Sequence, residues 1–161
     1  MLSDSEIRYL LKIKEIQIEP FVFDKLGPVS YDLSTRIEGE DVNDGDPTAE
    51  RWVMTESIKK LPRLLKLVTV EKITLSPRYI GMVMCRSKTE LRSLITSFSP
   101  LVDPGYSGHL IFLVLDTTGA CIRVDDLFQI TFSEVQGRVA RPYNKRPGSN
   151  AQGRTGFNTT S

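Results

Sequence analysis

The sequence predicts an all-β (mainly β) fold, a barrel or a sandwich, preceded by one short helix. Short stretches rich in apolar residues recur at intervals of about ten residues, with turn-forming residues between them. Helical spacing is confined to the N-terminus and to one central segment. The chain has 161 residues, of which 40% are hydrophobic and 25% are charged. That length and composition predict a single domain, residues 1–161, with a full-sized hydrophobic core.

The N-terminal segment predicts a helix over residues 4–12, followed by a strand. Ser3 and Glu6 have the S-x-x-E spacing of a capping box, and apolar residues follow them at helical spacing. Ile16 and Ile18 then alternate with polar residues, which is typical of a short strand.

The rest of the chain predicts further strands joined by turns and loops. Alternating or wholly apolar segments predict strands over residues 30–37, 52–54, 68–73, 82–84, 110–115, 121–124 and 128–132. Residues 38–50 are acidic and contain glycine and proline, so we expect a loop there. Residues 89–94 are expected to form a helical turn or two. From about residue 140 to 161 the composition, rich in Gly, Pro, Asn, Ser and Thr, predicts a flexible C-terminal arm.

Charge and residue counts exclude several classes of function. The net charge of +1 gives no basic field for binding polymeric nucleic acid. One histidine and two separated cysteines are too few for a zinc site. Because the chain opens with no signal peptide and contains no long apolar run, we expect a cytoplasmic protein that does not enter a membrane.

Several segments resemble, in order, motifs of one group of enzymes. "LSDSEIRYLL" with "IQIEPF", then "GPVSYDLS" and finally "RPYNKR" are similar to segments of the dCTP deaminases. "CRSK", "LVDPGYSG" and "VDDLFQITFSEV" resemble motifs that the deaminases share with the dUTPases, and "QGRTGFNTTS" resembles the glycine-rich fifth motif of the dUTPases. The sequence therefore resembles the dUTPase/dCTP deaminase superfamily over most of its length.

This resemblance implies a fold, an assembly and a ligand. The fold would be a distorted β-barrel or jelly roll of the dUTPase-like type, and the C-terminal arm would act as a lid. The assembly would be a homotrimer with active sites at the subunit interfaces. The ligand would be a deoxynucleoside triphosphate with Mg²⁺, namely dUTP, with dCTP and dTTP as further candidates.

The resemblance also assigns residues around the third motif. Asp103 would be the catalytic base that orients a water molecule, and it would contact the 3′-hydroxyl of the deoxyribose; the alternative is an acid that only caps the Pro-Gly turn. Tyr106 would lie against the sugar, or would simply pack on the core. Arg86 and Ser87 would bind phosphate, although Arg86 could equally pair with an acid. Lys88, which replaces a small residue of the family, would add a phosphate contact or would crowd the site.

Further candidates lie in the first and fourth motifs and in the C-terminal arm. Asp32 would support Mg²⁺ indirectly, through water, or would support the subunit interface; the alternative is a structural acid that bonds backbone in a turn. The remaining predicted substrate-binding residues are Gln129, Tyr143, Gln152, Arg154 and Phe157. Tyr143, with Lys145 and Arg146, resembles the phosphate-binding end of the deaminases, or is a solvated loop. Gln152 stands where the family has an arginine. Arg154 is displaced from that position but would contact the γ-phosphate, and Phe157 would stack on the base.

The strand after the third motif distinguishes the two reactions of the superfamily. Deamination of cytosine without a metal needs a group that carries protons between water and the base. In the deaminases a glutamate does this, five residues past the final glycine of the third motif. The same count from Gly108 reaches Leu113, which cannot carry a proton. The sequence therefore favours hydrolysis of dUTP to dUMP and pyrophosphate. The alternatives are dCTP deamination, alone or combined with dUTP hydrolysis, and a regulatory homologue that binds nucleotide without turnover.

Overall fold

The protein consists of antiparallel β-sheets with one α-helix at its N-terminus. The structure, a computed structural model, describes residues 1–38, 52–53, 63–87, 94–117, 122–123, 127–147 and 152–153. The helix α1 spans Asp4–Lys12. The strands are Ile16–Glu19 (β1), Tyr31–Leu33 (β2), Thr35–Ile37 (β3), Trp52–Val53 (β4), Arg63–Leu75 (β5), Tyr79–Cys85 (β6), Leu94–Ser97 (β7), Leu101–Val102 (β8), Ser107–Asp116 (β9), Ile122–Arg123 (β10) and Phe128–Glu134 (β11). Short 3₁₀ helices span Phe23–Lys25 and Tyr143–Lys145.

The predicted N-terminal helix and its capping box are confirmed. The Ser3 hydroxyl accepts a hydrogen bond from the Glu6 backbone N–H, and the Glu6 carboxylate accepts one from the Ser3 N–H at 2.8 Å. These two bonds satisfy backbone donors that the first helical turn leaves without partners. The buried face of α1 carries Ile7 and Leu10 into the core.

The strands form two larger sheets and one short ladder. The first sheet has the order β1-β5-β9-β7, with β3 also paired to β5. The second has the order β2-β11-β6-β8, and β10 pairs with β4. Between the two larger sheets, the rings of Phe112 on β9 and Phe128 on β11 stack with centroids 3.9 Å apart. Phe98 packs edge-on against both rings. The all-β fold class is thus confirmed, with the core between the sheets.

The prediction of one continuous strand over residues 30–37 is wrong. The structure divides it into β2 and β3, which lie in different sheets. The division falls at Ser34, whose backbone N–H donates to the carboxylate of Glu71 rather than to a neighbouring strand. Since that side chain replaces a ladder partner, the chain leaves one sheet and enters the other at Ser34.

The other predicted strands are present with different lengths. The predictions over 68–73, 82–84 and 110–115 fall within the longer strands β5, β6 and β9. Those over 121–124 and 128–132 correspond to β10 and β11, which belong to different sheets. The helical turn predicted over 89–94 is wrong at its end, because Leu94 begins β7. The rest of that prediction, and almost all of the predicted acidic loop over 38–50, lies outside the described residues.

Strand β5 contains a bulge that buries an acid. Between the pairs Val68–Ile111 and Lys72–His109, β5 advances by more residues than β9 does. Glu71 lies in this bulge and is only 1% exposed. Its carboxylate accepts hydrogen bonds from Lys25 Nζ at 3.0 Å and from the Ser34 N–H at 3.0 Å. The bulge therefore fixes both the buried charge pair and the point where β2 gives way to β3.

No helix among the described residues has an apolar stretch long enough to cross a bilayer.

Candidate active site

Asp103 begins a tight turn that connects β8 to β9. The sequence Asp103-Pro104-Gly105-Tyr106 is typical of a type II turn, with proline second and glycine third. Gly105 has a φ of +85°, which glycine adopts without strain, and the Tyr106 N–H donates to the Asp103 carbonyl at 3.1 Å. The local sequence thus places the Asp103 side chain at the start of the long central strand β9.

A cleft of about 280 Å³ opens beside this turn. Its walls come from the β7–β8 connection, from β8 and the turn, from the first half of β9 and from the described residues 142–147 and 152–153, which we call the C-terminal segment. The lining residues are Ser99, Leu101, Val102, Asp103, Tyr106, His109, Leu110, Ile111, Phe112 and Tyr143. We call this the Asp103 cleft; it combines one carboxylate and two phenol rings with apolar walls, which is a composition typical of small-molecule sites.

The C-terminal segment is attached to the Asp103 turn. The Tyr143 N–H donates to the Pro104 carbonyl at 2.8 Å, and the rings of Tyr106 and Tyr143 pack edge-to-face at 5.6 Å. Tyr106 is 6% exposed, and its hydroxyl donates to the His109 carbonyl at 2.8 Å. Two predicted substrate-binding residues, Tyr106 and Tyr143, therefore lie together beside the predicted base.

Gly105 is required where the two segments touch. A Cβ at this position would lie 3.0 Å from Pro142 Cβ and 3.2 Å from the Tyr143 backbone nitrogen. We expect Gly105→Ala to destabilise the protein and to weaken substrate binding, because the turn and the C-terminal segment would have to separate. Gly137→Ala is the matched control, since Gly137 has the same φ of +85° but no atom within 4 Å of an added Cβ.

The comparison of the two glycine variants uses urea unfolding and, for substrate binding, the KM for dUTP, the ligand that the sequence resemblance implies. Both variants carry the backbone cost of about 1–2 kcal/mol for a left-handed alanine. A larger loss of stability and a higher KM for Gly105→Ala are expected. Equal stability and equal KM for the two variants would show that the contact between the Asp103 turn and the C-terminal segment affects neither stability nor binding.

Two further polar residues of the C-terminal segment reach the same region. Arg146 Nη1 lies 3.9 Å from Asp103 Oδ2. The Gln152 amide oxygen accepts a hydrogen bond from the Ser107 N–H at 3.2 Å, and the Gly153 N–H donates to the Ser107 carbonyl at 2.7 Å. Residues 152 and 153 are thus attached to the first residue of β9, next to Tyr106.

A second group of predicted residues lies elsewhere in the chain. Arg86 Nη1 forms an ion pair with Asp32 Oδ2 at 2.7 Å, and both side chains are 28% exposed. Asp32 stands opposite Gln129 in the β2–β11 register, and the Gln129 side chain accepts a hydrogen bond from Ser30. We call Asp32, Arg86 and Gln129 the Arg86 cluster; none of them is among the residues that line the Asp103 cleft.

The structure thus gives mixed outcomes for individual site residues. Arg86 pairs with an acid, Asp32, which is one of its two predicted roles. Its other predicted role, a contact to phosphate, stays a prediction. Ser87, which follows Arg86, is exposed. Lys88, Arg154 and Phe157 lie outside the described residues.

Sequence reasoning did not assign Ser99 or Ile111 to a site, and only the packing of β9 against the β7–β8 connection brings them to the cleft.

Leu113 lies on β9 at an uninterrupted part of the strand. It pairs with Ser97 on β7 and with Lys66 on β5, and both ladders are regular around it. The bulge in the β5–β9 ladder has its additional residues on β5, so it does not shift the count from Gly108 to Leu113. Asp116 lies three residues after Leu113, so its side chain projects from the opposite face of β9. It is also fully buried. It therefore cannot take the place of Leu113.

His109 is the only histidine of the chain and lines the Asp103 cleft. Its Nδ1 lies 2.9 Å from the Thr69 carbonyl oxygen, so Nδ1 carries the proton and donates. Burial lowers the pKa of His109 below its ordinary value of 6.5, although the bond to the Thr69 carbonyl acts in the opposite direction. The imidazole is accordingly neutral at pH 7.

The lowered pKa of His109 predicts a pH dependence of stability. Below pH 6.5 the unfolded chain binds a proton that the folded protein resists, so the free energy of unfolding falls as the pH decreases from 6.5 through the folded pKa. We expect the melting temperature of a His109→Gln variant to fall less between pH 7.5 and about pH 5.5 than that of the unmodified protein. Parallel curves for the two proteins would contradict this assignment, since all other titrating groups are shared.

Comparisons with known proteins give a consistent group of relatives. The chain is 33% identical to a dCTP deaminase of Thermococcus kodakarensis over 147 residues, covering 89% of this chain and 88% of that protein. It is 31% identical to a dCTP deaminase of Pyrococcus furiosus over 162 residues, covering 96% and 93%. A dUMP-forming dCTP deaminase of Nanoarchaeum equitans is 26% identical over 153 residues, covering 77% of each chain. No model of a known protein family matches the chain.

A solved structure supports the fold. The crystal structure of 2′-deoxycytidine 5′-triphosphate deaminase from Agrobacterium tumefaciens superimposes with a TM-score of 0.56 at 19% sequence identity. The match covers 87% of this chain but 49% of that chain, so the protein spans about half the length of the solved one.

Proposed function

Because the chain belongs to the dUTPase/dCTP deaminase superfamily, we propose that it hydrolyses dUTP to dUMP and pyrophosphate. The superfamily carries out two reactions on pyrimidine deoxynucleotides, and the choice between them depends on β9. Leu113 occupies the position at which the resemblance places the proton-carrying glutamate of the deaminases. This single observation carries the proposal, because an isobutyl side chain cannot accept or donate a proton.

The relatives favour a second candidate. Those reported above are named dCTP deaminases, and one of them is named dUMP-forming. A deaminase in this chain would need another proton carrier close to the base. His109 lines the cleft as well, and with its Nδ1 proton donated to the Thr69 carbonyl only Nε2 could accept a proton. Burial lowers the pKa of His109 and so disfavours the imidazolium that a proton carrier has to form. Glu71, the other buried acid nearby, is bound to Lys25 and Ser34 and does not line the cleft. Deamination is therefore the less favoured candidate.

Asp103 would act on the attacking water. Its side chain is 36% exposed and faces the cleft, so a water molecule can reach it. The carboxylate would accept a proton from this water as the oxygen bonds to the α-phosphorus, and the bond to the bridging oxygen would break to release pyrophosphate. A general base makes two contributions: it positions the water and accepts its proton.

Substrate recognition would be divided between the cleft and the C-terminal segment. The ring of Tyr106, which is buried and packs edge-to-face against Tyr143, would lie against the deoxyribose and help to exclude a 2′-hydroxyl. Arg146 and Lys145 would contact phosphate oxygens. Arg154 would contact the γ-phosphate, and Phe157 would stack on the base. Lys88 would add a further phosphate contact.

The donor set fits a Mg²⁺ ion that the nucleotide brings with it. Among the described residues, no three His, Cys, Asp or Glu side chains converge to hold a metal. Mg²⁺ commonly keeps most of its waters and uses few protein ligands, so isolated carboxylates suffice. Asp32 would hold metal-bound water through its carboxylate. When bound, the ion would neutralise charge on the phosphate oxygens.

We further propose that the active site is completed by a second subunit of a homotrimer. The Arg86 cluster and the Asp103 cleft are separate groups within one chain, although both are predicted to contact substrate. The face of β9 that carries Leu113 also carries an apolar row, in which Leu64 and Ile95 flank Leu115. Leu64 is 58% exposed and Ile95 is 60% exposed, which is consistent with a surface that another subunit covers.

A steady-state assay tests the proposed function. The purified protein is incubated with Mg²⁺ and dUTP, and the release of pyrophosphate and dUMP is measured, with UTP and dTTP as comparison substrates. Hydrolysis of dUTP that is abolished by EDTA is expected. Tight binding of dUTP without release of pyrophosphate would contradict the proposal and favour a regulatory nucleotide-binding protein.

A further inference from the structure

The ion pair between Asp103 and Arg146 joins the predicted base to the predicted phosphate-binding segment. Arg146 directly follows the 3₁₀ helix Tyr143–Lys145, and its N–H donates to the Tyr143 carbonyl at 3.2 Å. Its guanidinium Nη1 lies 3.9 Å from Asp103 Oδ2. A cation thus lies beside the carboxylate that the proposed reaction needs as a base.

The backbone of Arg146 is held firmly while its side chain is held loosely. The hydrogen bond from Tyr143 to Pro104 and the close packing at Gly105 fix the segment against the Asp103 turn. The Arg146 side chain, however, is 57% exposed, and a separation of 3.9 Å is longer than a hydrogen bond. An exposed pair at this distance contributes little to stability, so the guanidinium can change partners without disturbing the fold.

A triphosphate is a stronger partner for this guanidinium than one carboxylate. It carries several negative charges, and its oxygens match the planar fork of arginine. We propose that Arg146 is an exchange residue: it pairs with Asp103 before nucleotide binds, then transfers to the triphosphate and thereby frees the carboxylate for water. The proposal rests on the proposed function only for the role of Asp103 as base.

The exchange makes a prediction about binding that does not depend on turnover. If Asp103 competes with phosphate for Arg146, removing the acid should strengthen phosphate binding, and this gain should require Arg146. Asp103→Asn also removes repulsion between the acid and phosphate, whether or not Arg146 is present. The coupling between the two positions isolates the exchange.

A double-mutant cycle measured by calorimetry tests the exchange. The probe is inorganic tripolyphosphate without Mg²⁺, which has no sugar to contact Asp103. The proteins are the unmodified chain, Asp103→Asn, Arg146→Gln and the double variant, with Arg138→Gln as a control that removes an exposed arginine outside the site. Thermal melting of each variant confirms that it is folded.

We expect Asp103→Asn to tighten tripolyphosphate binding about two- to fivefold more when Arg146 is present than in the Arg146→Gln background. Arg146→Gln alone should weaken binding, Arg146→Lys should weaken it less, and Arg138→Gln should leave it unchanged. An equal gain in both backgrounds, or unchanged binding by Arg146→Gln, would overturn the exchange. Absence of dUTP hydrolysis with an intact cycle would instead refute only the proposed function.

Discussion

The Asp103→Asn variant is expected to hydrolyse dUTP about 10²- to 10⁴-fold more slowly than the unmodified protein, which is the usual contribution of a general base. An amide has nearly the shape of the carboxylate but cannot accept the proton of the attacking water. The effect should appear in kcat, because the loss concerns the chemical step rather than the binding of dUTP.

The structure indicates that this variant will fold normally. The turn depends on the backbone carbonyl of Asp103, which accepts the Tyr106 N–H, and the substitution leaves that group unchanged. The side-chain pair with Arg146 is largely exposed and adds little stability. Asp24→Asn is the matched control, since Asp24 is an exposed aspartate in the first 3₁₀ helix. Comparable rates for the two variants would remove Asp103 from catalysis.

The Glu71→Ala variant should lose about 3 kcal/mol of unfolding free energy, because it leaves a buried partner charge uncompensated. Glu71 is 1% exposed, and its carboxylate accepts hydrogen bonds from Lys25 Nζ and the Ser34 N–H. Without it, the Lys25 ammonium, whose side chain is 18% exposed, loses its counter-charge. For a domain of this size, the melting temperature should fall by roughly 6–12 °C.

A second acid serves as the control for the Glu71 experiment. Glu134 pairs with Arg78 at 2.8 Å, but the side chains are 54% and 65% exposed. Because water solvates both charges, Glu134→Ala should leave the melting temperature nearly unchanged. Calorimetric melting of the two variants under one set of conditions gives the comparison. A similar fall in the melting temperature of both variants would show that the burial of Glu71 does not determine its contribution to stability.

Elements determined by nearby residues could be predicted from the sequence. The helix α1 follows from a capping box and helical spacing within one segment. The Asp103 turn follows from proline and glycine at fixed places, and the strand β9 from a continuous apolar run. In each case the residues that decide the structure are close together in the chain, so their pattern is visible without tertiary contacts.

Elements determined by distant residues could not be predicted in this way. The division between β2 and β3 depends on a bond from Ser34 to Glu71, which is 37 residues away. The sequence does contain a signal for the burial of Glu71, since it continues the inward face that carries Leu67 and Ile73. For the predicted site, the motif order singled out Asp103 and Tyr106, and the structure places both in one cleft. The pairing of Arg146 with Asp103 depends on how the C-terminal segment packs.

The most direct test of the account is the release of ammonia from dCTP by the unmodified protein, measured beside the release of pyrophosphate from dUTP in the same preparation. With Leu113 in β9 and Asp103 in the cleft, pyrophosphate should form from dUTP while dCTP yields no ammonia. Ammonia released from dCTP at a rate similar to that of dUTP hydrolysis would show that another group transfers protons to the base, and the account would be wrong.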